Sequence, residues 1–101
     1  MMNKYVSRND ARTAYRMMED EAVVVNLKDS TFHTLNPVAS FIWQQADGKN
    51  TVGQIADMVC REFEVAPGVA EKDCLEFVGS LVGKDLLCLL PQPVEEGKDA
   101  R

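Results

Sequence analysis

Asn36-Pro37 divides this chain in two. Strand signals come before the pair and helix signals follow it. The Asn side chain can accept a hydrogen bond from an orphan amide of a first helical turn, and Pro has no amide to leave unpaired at the first helical position. A chain of 101 residues has room for one core, so strands and helices must share it in a single α+β domain.

Before the pair, three segments carry strand patterning. Thr13 to Glu19 alternates Tyr15 and Met17 with Arg16, Ala22 to Val25 is a β-branched run, and Thr31 to Leu35 is a short third strand. Polar links at Glu19-Asp20-Glu21 and Lys28-Asp29-Ser30 join them, which predicts an antiparallel meander. Residues 1–12 lack periodicity and are expected to form a flexible N-terminal arm.

After the pair, Val38, Phe41 and Ile42 share a face of a short helix that ends by Asp47-Gly48, expected as a turn. Thr51 and Gln54 have the spacing of a capping box, and Val52, Ile55, Ala56, Val59, Cys60 and Phe63 recur at three- and four-residue steps behind it. Pro67-Gly68 breaks this second helix. A third is predicted over Val69 to Lys84, with Leu75, Val78, Leu81 and Val82 inside and Cys74 and Phe77 widening the stripe. Leu86 to Leu90 is apolar but of undetermined type, and residues 91–101 are expected to be a disordered tail. The expected fold is a three-stranded antiparallel sheet followed by three helices, resembling a winged helix, over residues 13–90.

Several function classes are excluded or disfavoured. A single His, no Gly-rich phosphate loop and no nucleophile elbow leave no convergent catalytic set, so the chain is read as a non-enzyme without a cofactor or catalytic residue. Cys60, Cys74 and Cys88 stand in apolar segments without a nearby Cys or His, as small buried residues and not a disulfide framework or metal site. Sixteen acids against eleven bases give a net charge of −5, which opposes a phosphate backbone, and the outward residues Glu71, Lys72, Asp73, Glu76 and Ser80 of the third helix are acid-rich and do not suit a DNA groove. A winged-helix DNA-binding regulator is the alternative that the fold class keeps open. With no apolar run long enough for a membrane span and no signal-peptide core, a cytoplasmic location is expected.

Peptide recognition remains. The third strand ends the meander without a blocking Pro or Lys, so Thr31, Phe32, His33, Thr34 and Leu35 offer an edge to which a peptide can add as a strand. If the third helix packs beside it, Cys74, Phe77 and Leu81 would wall a groove. Homodimerisation through the same edge is a further reading.

The segments Phe32-His33-Thr34-Leu35-Asn36-Pro37-Val38-Ala39, Ile42-Trp43, Asp47-Gly48-Lys49-Asn50-Thr51-Val52 and Ile55-Ala56 together resemble the PqqD family of pyrroloquinoline quinone biosynthesis proteins. The resemblance spans roughly Glu21 to Leu90. It implies a peptide chaperone: a recognition element that holds the leader of a ribosomally synthesised precursor as an added strand. Such a protein presents the leader to a radical S-adenosylmethionine enzyme or another maturation enzyme. It carries over Thr31 to Leu35 as the pairing strand and Asp73 to Leu81 as the helix beside it. Leu35, Asn36, Trp43, Asp47, Gly48 and Thr51 fall to the fold. PqqD-like proteins also lie outside quinone biosynthesis, so the resemblance implies the family and not the pathway.

Overall fold

The computed structural model describes residues 2–94. In chain order they form β1 (Tyr5–Arg8), β2 (Thr13–Met18), β3 (Glu21–Asn26), β4 (Thr31–Thr34), α1 (Pro37–Gln45), β5 (Asp47–Thr51), α2 (Val52–Phe63), α3 (Pro67–Gly83) and β6 (Leu87–Leu90). The expected meander is present as an antiparallel sheet in the order β2-β3-β4. The β2–β3 link is two residues long, with Glu19 in the left-handed region, and Met18 pairs with Glu21 across it.

A second three-stranded sheet, ordered β5-β1-β6, departs from the expected layout. The stretch 1–12, expected as a flexible arm, contributes its central strand, and Val6 is fully buried there. The strand is short, and its partners lie about 40 and 80 residues downstream, so local patterning could not reveal it. Leu87–Leu90 finds its type as the other edge, β6. Asp47-Gly48, expected as a turn, opens β5. The register slips between Tyr5 and Ser7, and Gly48 takes a φ of 82° at this bulge. Past β6 the chain folds back, and Val94 N–H donates to Gly48 C=O over 2.8 Å, so the expected tail begins as an ordered return. Residues 95–101 of that tail lie outside the described residues.

The helices start as their caps dictate. Asn36 Oδ1 accepts from Ala39 N–H with Pro37 at the first position of α1, and Thr51 and Gln54 complete the capping box of α2. The third helix begins at Pro67, two residues before the expected start, because Pro is also favourable at a first helical position. Trp43, Ile42, Ile55, Leu86, Leu87 and Val24 are the largest side chains of the core, with less than 2 % of each exposed. Trp43 lies edge-on to Tyr15, with ring centroids 5.6 Å apart, and its indole N–H has no oxygen or nitrogen acceptor.

Ser40 is one of two buried polar residues among those described, and its hydroxyl works twice. It accepts from Ala22 N–H over 2.7 Å and donates to Leu35 C=O over 3.1 Å. The start of β3, the end of β4 and the first turn of α1 are thereby tied at one oxygen.

Two variants test these constraints. Ser40→Ala strands a buried amide and a buried carbonyl, so a loss of about 1–3 kcal/mol is expected in denaturant unfolding, with faster amide exchange at Ala22 than wild type. Gly48→Ala forces a Cβ into a left-handed backbone and places it 2.5 Å from Val94 Cγ2. Thermal melting should show a drop of roughly 5–10 °C, from about 1–2 kcal/mol of strain.

Candidate functional site: an open strand edge facing a helix

β4, one of the two edge strands of the β2-β3-β4 sheet, has a defined phase. Leu35 N–H donates to Ala22 C=O over 2.8 Å, and Thr34 pairs with Val23. Hydrogen-bonded pairs alternate along an antiparallel ladder, so His33 and Leu35 direct their backbone groups at β3. The N–H and C=O of Phe32 and Thr34 then point away from the sheet. β4 therefore offers two donors and two acceptors to an incoming strand.

Side chains alternate as well. His33 shares its face with Val24 and Tyr15, its partners across the ladder, while Phe32 and Thr34 stand on the opposite face beside Val25 and Val23. Phe32 is 69 % exposed there and borders an apolar depression with Ala14, Val23 and Val25. Its ring belongs to the outer sheet surface and only its backbone to the edge. Leu35 is a core residue. The Thr31 N–H and hydroxyl both donate to Asp29 Oδ1, at 3.1 and 2.7 Å, and these bonds hold the Asp29 carboxyl below its usual range.

α3 packs chiefly on α2 and β6 and leaves a furrow that is bordered by α1 along the middle of the helix and by β4 at its C-terminal end. Asp73, Glu76, Phe77 and Ser80 follow the three- and four-residue spacing of one helix face and look across at Asn36, Val38, Ala39 and Ile42. The space enclosed is about 450 Å³. Farther along the same helix, Gly83, Lys84 and Asp85 look across at Arg12, Asn26, Lys28, Asp29, Thr31 and His33 around a second space of about 460 Å³. Both fall in the range of ligand pockets, roughly 300–1,000 Å³. The first adjoins Asn36, just past the end of β4, and the second adjoins Thr31 and His33 within it.

Of the residues expected to bind, Thr31, His33, Asp73 and Phe77 therefore border the furrow, while Phe32 and Thr34 line neither space and offer backbone groups along the β4 edge. Cys74 and Leu81 point into the core, at 0 % and 5 % exposure. Burial lifts the Cys74 thiol to about 11, with the neighbouring Asp73 carboxylate adding to the rise, so it stays protonated and unreactive at neutral pH. The residues that sequence reasoning passed over are Asn36, Val38 and Ala39, read as a helix start, and Glu76 and Ser80, read as solvent-facing. Glu76 and Ser80 could have been found from their spacing, three and seven residues beyond Asp73 on its face. The same exposed carboxylates make α3 a poor fit to a DNA groove.

Among the described residues, no helix is long and apolar enough to cross a membrane, and no group of His, Cys, Asp and Glu is placed to hold a metal ion.

Comparison with known proteins places this geometry. A structure described as TbiB1 in complex with the TbiA(beta) leader peptide is similar at a TM-score of 0.72 and 28% identity, covering 80% of this chain and 93% of that one. A second, described as lasso peptide synthetase B1 complexed with the leader peptide, shares the fold at a TM-score of 0.68 and 21% identity, covering 76% of this chain and 91% of that one. A comparison with curated proteins finds no match. Residues 21–87 match the family described as coenzyme PQQ synthesis protein D, and the chain belongs to this PqqD family.

Proposed function

We propose that this protein is a peptide-recognition element, which binds the leader of a ribosomally synthesised precursor peptide by strand addition along β4 and holds it against α3. The observation that carries the reading is the furrow itself. At one end it lies between the α3 face and α1, with an apolar floor of Val38, Ala39, Ile42 and Phe77, and at the other it borders the edge strand β4 at Thr31 and His33. Backbone groups of Phe32 and Thr34 supply register and much of the affinity, and the floor takes alternate side chains of the bound strand. Thr31 and His33 meet the strand at the far end, Asp73 and Phe77 at the near one. Cys74 and Leu81 support the wall from behind.

Membership of the PqqD family and the likeness to a leader-peptide complex support the same reading. The protein performs no chemistry of its own in this role. A separate modifying enzyme, of the radical S-adenosylmethionine class or another, takes the precursor from it in the cytoplasm.

Titration of ¹⁵N-labelled protein with leader peptides tests the proposal. The largest amide shifts are expected at Phe32, Thr34 and the Asp73–Ser80 face of α3, and shifts gathered on the β5-β1-β6 sheet instead would refute it. Thr34→Pro is the sharper probe. The Thr34 N–H points off the edge, where Pro is compatible with the sheet, so the fold should persist while a donor is removed and a ring occupies the approach. Affinity is expected to fall about tenfold or more, since a hydrogen bond contributes about 0.5–1.5 kcal/mol before the steric obstruction is counted. Calorimetry that finds equal affinity for this variant and wild type excludes pairing at β4.

A further inference from the structure

Resting on strand addition at β4, we infer that the bound segment carries a lysine or arginine toward its N-terminal end, seated between Asp73 and Glu76 of α3. Every ladder among the described residues is antiparallel, and antiparallel pairing is the more stable per residue. β4 runs from the end of the furrow at Lys84 toward the end at Asp73, since Thr31 borders the former and Asn36 the latter. A strand antiparallel to β4 therefore enters at Asp73 and Glu76 and leaves past Lys84. Its N-terminal residues meet the first space and its C-terminal residues the second.

The first space has a particular chemistry. Val38, Ala39, Ile42 and Phe77 form its apolar floor, and Asp73 and Glu76 are exposed carboxylates on its rim. Neither carboxylate has an ion-pair or hydrogen-bond partner among the described residues, and the Asn36 side chain is committed to capping α1. Asn36 and Ser80 bring no positive charge. A long aliphatic stem with a cationic head satisfies both parts, with methylenes on the floor and charge between the carboxylates. A carboxylate would be repelled there, and an apolar residue would desolvate the rim without compensation. At the far end Arg12, Lys28 and Lys84 stand among Asp29 and Asp85, so the charges are mixed and select no sign. The preference is local to the entry end.

Selection from a displayed library of random short peptides tests this on the full chain, in parallel with Asp73→Asn/Glu76→Gln. Both positions are exposed, so the double variant should match wild type in its circular dichroism and melting temperature. Wild type should enrich peptides with Lys or Arg N-terminal to an apolar extended segment, and the double variant should enrich peptides without that preference. Replacing the basic residue of one enriched peptide by norleucine should weaken binding to wild type roughly three- to tenfold, with little change for the double variant. Peptides that shift the Phe32 and Thr34 amides yet show no basic enrichment overturn this inference and leave strand addition standing. A basic preference that survives in the double variant also overturns it. Peptides that bind without moving those amides, or no enrichment at all, overturn the strand-addition reading and this inference with it.

Discussion

The corner at Ser40 holds the site together. One hydroxyl accepts from Ala22 N–H and donates to Leu35 C=O, while Ser40 N–H donates to Asn36 C=O and Asn36 Oδ1 caps Ala39. The chain turns from the edge strand into the first helix with its buried polar groups paired, so the corner has little slack. From there, packing passes the constraint along. α1 rests on β3 and α2, and α2 carries α3. Trp43 and Ile42, fully buried in α1, and Val59 in α2 fill the joint. The distance between β4 and α3 is thus set by contacts behind the furrow and needs no occupant to define it. A preformed site of this kind loses little free energy to ordering when it binds.

The two sheets divide the work. β5-β1-β6 clasps the far side of the core, where Gly48 accepts the returning Val94 and Arg8 donates to the carbonyls of Trp43 and Gln44. The β2-β3-β4 sheet keeps a free edge beside α3. That edge is a liability in solution, because unpaired backbone groups invite any extended chain. Along β4 only Phe32 and Thr34 present their backbone outward, and the end of α3 stands beside that edge at Thr31 and His33; β2 is the sheet's other edge strand. In the proposed role, edge hydrogen bonds would give affinity with little sequence information, and the floor and rim of the furrow would decide which strand is kept.

The local signals in the sequence were reliable where the structure is local. The meander, the Asn36-Pro37 cap, the capping box at Thr51 and the stripe of α2 all depend on residues within a few positions of one another, and each appears where its pattern placed it. The second sheet was not legible, because β1 has partners at opposite ends of the chain and its four residues carry too short a pattern to separate from a polar arm. The site was half legible for a related reason. Strand alternation identifies the edge but not which amides face outward, which depends on the Leu35–Ala22 bond. The stripe Cys74, Phe77, Leu81 marks an apolar face of α3, but a stripe does not say where the core stops. Cys74 and Leu81 lie on the core side of that boundary and Phe77 on it. Ser40 carried no signal, since a serine in a short helix reads as solvent-facing until its two buried partners are known.

A fold resembling a winged helix is often taken to mean nucleic acid, and this chain shows why the site has to be read instead. The scaffold sets a helix beside a strand edge whichever partner is bound. What decides between partners is the charge and spacing of the side chains at that helix. Phosphate recognition needs cations there, yet Glu71, Asp73 and Glu76 stand exposed on α3 against Lys72 alone among them, in a protein of net charge −5, so the exposed face of this helix is acid-rich where a polyanion would need the reverse. The same carboxylates cost nothing when left in water and favour a strand that brings a cation with it. The edge amides of β4 remain unused in a DNA-binding geometry and are satisfied only by another backbone. Strand edge and acidic helix together suit a peptide and oppose a duplex, and neither feature alone would separate the two.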